Sequence, residues 1–287
     1  MHLTSSNPLA KHFRQPKLYI RLPSQGNFYP KGSLELSETG EYPVFAMTAK
    51  DELMFKTPDA LLNGQSTVSV IQSCIPNIKN AWNVPSIDID AILIAIRMAT
   101  YGEKMDLEVK IPGLTENNER AYEADLRLVL DQITSQTYEN IIDADGYKIE
   151  IEPMSYKKFT EVALKTFEEQ RLFRIVNNDN LSETEKLEQF NQSFMRLTEM
   201  NINQVSNSVV AIQFDGEDAV VNKDHILEFI NNADKEIYKK IISHIDIQRE
   251  KFQIKPIKIQ TSEEEIALGA VKEFEVPITF DQSNFFA

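Results

Sequence analysis

Carboxylates are the side chains best placed to do chemistry in this sequence. Asp88 and Asp90 open an apolar stretch two residues apart, and Glu263, Glu264 and Glu265 form a run near the C-terminal end. Close carboxylates can act as general acid and general base when their surroundings hold one protonated and the other ionised. An acidic-dyad hydrolase is therefore one function class to weigh. Against it, 44 acidic residues bring such pairs together by chance, and acids at a helix start are stabilised by its positive end with no catalytic role. The second reading is expected for Asp88 and Asp90.

Other reactive groups are sparse. Cys74 is the single cysteine, which excludes an internal disulfide and a multi-thiolate metal site. Its place beside Ile71 and Ile75 predicts a buried, inert thiol. His2, His12, His225 and His244 show no metal-ligand spacing, and His244 is expected to form a solvated pair with Asp246. Phe214-Asp-Gly-Glu-Asp218 lacks the oxygen spacing of a calcium loop and reads as a turn. The nine glycines form neither a G-x-G-x-x-G nor a G-x-x-x-x-G-K-[ST] pattern, and no G-x-S-x-G occurs. No catalytic residue, metal or cofactor is expected.

The charge balance narrows the partners. Thirty basic residues against 44 acidic ones give a net charge of -14, which opposes binding to phosphate backbones or anionic lipid. Neither a nucleic-acid nor a membrane partner is expected. No apolar run approaches the roughly 18 residues that span a bilayer; Ile87 to Ala99 is interrupted by Asp88, Asp90 and Arg97. Met1 to Pro16 lacks an export signal, so a reducing, cytoplasmic compartment is expected.

The elements that must position these residues follow from periodicity. The first sixteen residues carry no pattern and predict a flexible arm. Leu18 and Ile20 then alternate with polar partners, and Pro23, Gly26, Pro30 and Gly32 mark a turn-rich segment. Extended runs are predicted at 33–36 and 42–47, and Thr48 with Asp51 and Glu52 reads as a helix start. Pro58 and Asn63-Gly64 end that helix. A second helix is predicted from Ser66 to Ile75, and a third from Asp88 to Tyr101, apolar nearly all round and so central.

Met105 to Ile111 alternates as a half-buried strand, a helix is predicted at Leu126 to Ile133, and Asp143-Ala-Asp-Gly146 between 138–142 and 147–152 signals a hairpin. Composition then turns helical. Phe159, Ala163 and Phe167 mark one helix, and Ser182-x-x-Glu185 is a capping box. Behind it Leu187, Phe190, Phe194, Leu197 and Met200 form a stripe as wide as a two-helix contact, which Val205, Val209 and Ile212 could continue. Ile226, Phe229 and Ile230, then Ile237, Ile241 and Ile245 behind Asp234, predict two more helices. Strands return at Ile257 to Ile259 and Phe274 to Phe280, on either side of an acidic bend at 263–265. The expected class is α+β: an arm (1–16), a mixed unit with short strands and helices (17–153), a helical middle (154–254) and C-terminal strands packing back (255–287).

One resemblance gathers several of these signals. Leu22-Pro-Ser-Gln-Gly-Asn-Phe-Tyr-Pro30, Val44-Phe-Ala-Met-Thr-Ala-Lys-Asp-Glu-Leu53 and Ile94-Ala-Ile-Arg-Met-Ala-Thr-Tyr-Gly102 resemble the opening of the baseplate hub assembly family of T-even-like myophages. Phe274-Glu-Val-Pro-Ile-Thr-Phe-Asp-Gln-Ser-Asn-Phe-Phe286 is similar to that family's closing strand and terminal Phe-Phe. The resemblance implies a non-enzymatic protein of a contractile phage tail that helps build the baseplate hub by protein–protein binding. Its implied partners are other hub, baseplate or tape-measure proteins, met in the host cytoplasm during assembly or in the virion tail. A transient chaperone for hub or tape-measure proteins is the alternative, and a cytoplasmic adaptor of another kind a third.

The residues the resemblance marks are Pro23, Gly26, Phe28, Tyr29, Thr48, Glu52, Arg97, Tyr101, Gly102, Phe285 and Phe286. Phe28 and Tyr29 could equally be core, and Phe285-Phe286 could dock within the chain or between chains. Relatives often carry paired cysteines suited to zinc where this chain has Val109 to Asn118 and Gln260 to Gly269. Without thiolates no zinc is expected, so hydrophobic packing or partner contacts must replace such a clip.

Overall fold

The computed structural model describes residues 9, 13–55, 64–114, 118–144, 146–176 and 182–278. Pro58, Asn63, His2, His12, Phe280, Phe285 and Phe286 lie outside them. Secondary structure is mixed: helices are joined by four small antiparallel sheets among the described residues, the α+β class expected.

Strands β1 (Pro16–Ile20) and β2 (Tyr42–Phe45) pair antiparallel, with Ile20 opposite Tyr42. Helices α1 (Ala49–Phe55) and α2 (Gln65–Cys74) follow, and α3 (Ser86–Tyr101) runs through the centre of the first core. Its Ile92, Ile94 and Ile96 are fully buried although they occupy different faces. A helix apolar on every side is stable only when neighbours cover every side, and β1, β2, α2, α4 (Leu126–Thr134) and α8 (Lys235–Phe252) do so here.

β3 (Lys104–Lys110) forms a hairpin with β4 (Glu119–Asp125), in register from Lys104 opposite Asp125 to Lys110 opposite Glu119. The second core lies under a three-stranded sheet of β5 (Ile141–Ala144), β6 (Tyr147–Ile151) and β7 (Val209–Phe214). Ile149, Ile151 and Val209 meet Ile226 of α7 (Lys223–Asn232) and Ile241 of α8 there. Between β6 and β7 the chain makes a long antiparallel excursion, α5 (Tyr156–Val176) and α6 (Glu183–Ser208). α6 opens with the reciprocal Ser182–Glu185 capping box that the sequence predicts. The last elements are β8 (Ile257–Gln260), α9 (Glu263–Ala267) and β9 (Glu273–Val276).

Five expectations need correction. β4 has no counterpart in the sequence reading because Ala121, Tyr122 and Ala124 show no clear alternation among its charged residues; cross-strand pairing with β3 decides it. The run at 33–36 is no strand: Leu34 makes one isolated bridge to Ile78, and the Ser33 carbonyl accepts from the Lys79 and Asn80 amides. Val209 and Ile212 do not prolong a helix. Their β-branched stretch completes the sheet with β6, so that sheet crosses the boundary expected at residue 153. Glu263 to Glu265 form a capped helical turn rather than a bend, with Ser262 and Glu265 bonding reciprocally. The arm, finally, is anchored from Arg14 onward. Its guanidinium donates to the Ala46 carbonyl and to Ser73 Oγ (2.8 Å), approaches Asp51 at 3.6 Å and lies 5.6 Å from the Phe45 ring centre.

Candidate functional site

The marked residues fall into two groups at opposite ends of α3. At its N-terminal end Asp88 is fully buried and receives three hydrogen bonds: from the Ser24 amide (2.7 Å), Ser24 Oγ (2.6 Å) and Tyr29 Oη (2.8 Å). These hold the Leu22-to-Pro30 turn, in which Gln25, Gly26 and Phe28 all have positive φ. Gly26 is required there by shape as well, since a Cβ would press on Leu36 and Tyr42. Pro23 is buried. Phe28, half-buried, meets Tyr138 edge-on at 5.3 Å, so of the two readings left open for Phe28 and Tyr29 the described structure favours core.

Burial pushes the Asp88 carboxyl up to about 6 against the lowering pull of its three donors. It also raises the Tyr29 phenol, with the neighbouring Asp88 adding to the effect. Asp88 does sit in the first helical turn, as expected for a helix-start acid, but its work is to fix a turn 64 residues earlier in the chain.

At the other end of α3 the Tyr101 hydroxyl bonds the Glu52 carboxylate, and the Arg97 guanidinium lies 5.6 Å from the Tyr101 ring centre. Burial lowers Arg97 from its ordinary value, and its Nη1 donates to the Gly102 carbonyl at 3.3 Å. Gly102 closes the helix with φ 98, a conformation suited to glycine. Thr48 caps α1 reciprocally with Asp51, whose Oδ2 takes the Thr48 amide (2.8 Å), Thr48 Oγ1 (2.7 Å) and Ser73 Oγ (3.0 Å). Asp51 is thus a second buried carboxylate that ties arm, α1 and α2 together, where the sequence reading took it only as a helix-start acid. An acid buried inside an apolar helical pattern is the signal that marks such residues.

An acidic dyad needs two carboxylates in one cavity. Asp88 and Asp90 do not share one: Asp90 lines a cleft of about 350 Å³ with Glu152 at its rim, whereas Asp88 is enclosed by Ser24 and Tyr29. The remaining reactive groups are similarly occupied. Cys74 is buried and its thiol is pushed up to about 12 by desolvation. His244 does not pair with Asp246: its Nε2 meets the Glu139 carbonyl at 2.8 Å, and Asp246 binds Arg249 at 2.9 Å. Among the described residues no group of three or more His, Cys, Asp or Glu could hold a metal ion, and no helix is long and apolar enough to cross a membrane.

The segments around Pro112 and Gly269, where the sequence reading expected no zinc, converge. The Val271 amide donates to the Pro112 carbonyl (3.1 Å), and a Cβ on Gly113 would collide with the Gly269 carbonyl. Val109, Ile111, Ile259, Ala270 and Phe274 form a small apolar cluster there, so hydrophobic packing joins the two segments.

The α5–α6 excursion inverts the usual arrangement. Its two helices are stapled by Arg196, whose Nε and Nη2 reach Glu169 at 2.7 and 3.2 Å, beside buried Ser193. Leu197 and Met200 are half-buried, but the rest of the expected two-helix stripe faces outward. Phe167 is 64% exposed, Leu187 61% and Phe194 58%, with Phe159 and Phe190 also exposed.

The buried carboxylates thus hold turns, the thiol is buried, and large apolar side chains of α5 and α6 are turned outward. The sequence model of the T4 bacteriophage base plate protein family matches residues 21–275, and the chain belongs to that family. Its structural role is in the phage base plate, in association with other base plate proteins of the tail. No curated protein and no solved structure matches the chain.

Proposed function

We propose that this base plate protein helps build the central hub of a contractile tail, binding hub or tape-measure polypeptides through the outward face of α5 and α6 and transforming no substrate. The observation that carries the reading is the row of Phe159, Phe167, Leu187, Phe190 and Phe194 left exposed on a two-helix excursion. Large apolar side chains left exposed on a folded protein mark an interaction site when they gather on one surface, and aromatic residues including Phe are enriched at protein interfaces. The net charge of -14 keeps such a face from self-association through bulk repulsion and favours basic partners.

The test is capture of hub and tape-measure proteins from infected-cell lysate by the tagged full chain, compared with its Phe167→Glu/Phe194→Glu variant. Retention of hub polypeptides by the parent and their loss by the variant is the expected result. If the parent retains tail proteins of the outer base plate alone, or the variant captures the hub equally well, the reading fails. Mass spectrometry of finished particles separates a retained component from a chaperone that departs.

A further inference from the structure

A second feature lies at the base of the α5–α6 excursion, where Phe159 is part of its lining. The cleft of about 350 Å³ opens where α3, the segment after β6, the start of α5, the end of α6 and the end of α8 meet. Its position is fixed by backbone: the Ser86 amide donates to the Met154 carbonyl (2.7 Å) and the Tyr156 amide to the Val84 carbonyl (2.8 Å), with Trp82 stacked on Tyr156. The walls are mainly apolar, from Ile87, Ile89, Met154, Val162 and Phe252.

Within those walls sits the Asp90 carboxylate. Its single hydrogen bond among the described residues comes from the Ile254 amide at a long 3.4 Å. Asp88, two residues earlier, takes three bonds of 2.6 to 2.8 Å. Glu152 stands at the exposed rim, where Lys223 of the same chain is close enough to feel its charge. Arg249, also at the rim, is held by Asp246 at 2.9 Å, and Gln248 is engaged by Glu139. The acceptor capacity that the chain leaves open within the cleft is therefore that of Asp90.

The geometry points to this cleft as a socket for a lysine or arginine side chain of another tail polypeptide, its aliphatic stem against Ile87, Ile89, Val162 and Phe252 and its cation on Asp90. Long basic side chains bury apolar stems while their heads seek a counter-charge. A buried carboxylate with few donors gains more from such a cation than a solvated one. Burial does push Asp90 up to about 6, which registers that shortfall. A bare divalent cation fits less well, since it demands several oxygen ligands and no cluster of three candidate ligands exists among the described residues. The inference rests on the reading that the chain binds tail proteins, but it concerns the cleft, which shares only Phe159 with the exposed row.

The experiment uses the isotopically labelled full chain and follows backbone amide shifts while Nα-acetyl-lysine methylamide is added, then the arginine and norleucine analogues. The lysine and arginine probes should move the amides of Ile89, Asp90, Ala163 and Gln253, and norleucine should not. Asp90→Asn should weaken the lysine probe by about tenfold or more. Equal shifts with norleucine, shifts confined to other regions, or an unchanged affinity in a folded Asp90→Asn protein would each overturn the proposal. So would spermidine binding about a hundredfold more tightly than the lysine probe, because the socket would then belong to a free polyamine. Should Asp90→Asn fail to fold, the contrast between lysine and norleucine on the parent still decides. These outcomes bear on the cleft alone, whereas loss of hub capture by the α5–α6 variant bears on the function.

Discussion

The neighbourhood of Asp88 and the α5–α6 excursion solve opposite problems with the same twenty residue types. Around Asp88 polar groups are inside, and each is matched: one carboxylate meets one amide and two hydroxyls, all within 2.8 Å. On α5 and α6 apolar groups are outside, with Phe167 and Phe194 each more than half exposed. A buried acid is tolerated when its donors are complete, whereas an exposed aromatic costs little to the fold of its own chain and is useful only to another. On the proposed function, the difference separates residues that make the fold from residues offered to a partner.

The comparison is tested most severely by Asp88→Ala. Removing the carboxylate leaves the Ser24 amide, Ser24 Oγ and Tyr29 Oη buried without an acceptor, and a loss of about 3–5 kcal/mol is expected in urea denaturation. A loss under about 1 kcal/mol would mean that the turn holds itself and that the clamp is incidental.

A smaller effect sharpens the contrast between the two aspartates. Burial raises both carboxyls from 3.8 to about 6, so the folded chain binds their protons more readily than the unfolded chain does. The stability they contribute is complete below about pH 4, the unfolded value, and is lost as pH rises through 6. Asp90→Asn removes the Asp90 share. Its stability relative to the parent should therefore grow by about 1–3 kcal/mol between pH 4 and pH 8, measured by thermal or urea unfolding at each pH. A flat difference would show that Asp90 is not desolvated.

The smallest effect is expected on the other side of the comparison. Phe167→Glu/Phe194→Glu should change stability by no more than about 0.5 kcal/mol, because exposed positions contribute little to folding, while capture of hub proteins is abolished. A cooperative loss of fold in this variant would place these aromatics in a core and erase the distinction between the two regions.

The parts of the fold legible in sequence are those governed by neighbours along the chain. α3 shows in its unbroken apolar run, β3 in its alternation, the β5–β6 hairpin in Asp-Gly, and α6 and α8 in Ser182-x-x-Glu185 and Asp234. What escaped depends on partners far away. β4 is charged but for Ala121, Tyr122 and Ala124 and exists because β3 lies beside it; β7 prolongs a helical pattern until β6 claims it. The same holds for the site. The turn residues Pro23, Gly26, Phe28 and Tyr29 stand out locally, but the acid that clamps them is 64 positions downstream of Ser24, and no local spacing announces that bond. The stripe from Leu187 to Phe194 gives an apolar face without saying whether its own chain covers it.

The meeting of Gly113 with Gly269 also sets a timetable. The β3–β4 hairpin can form early on the ribosome, but its apolar side is covered by Ile259, Ala270 and Phe274, which emerge only after more than a hundred further residues have been made. Ile278 reaches the first core later still. Contacts so distant in sequence close slowly and leave sticky intermediates exposed. Val109 and Ile111 thus spend most of the synthesis of this polypeptide uncovered, and the window in which a nascent chain could pair wrongly stays open almost to the last codons of the described region.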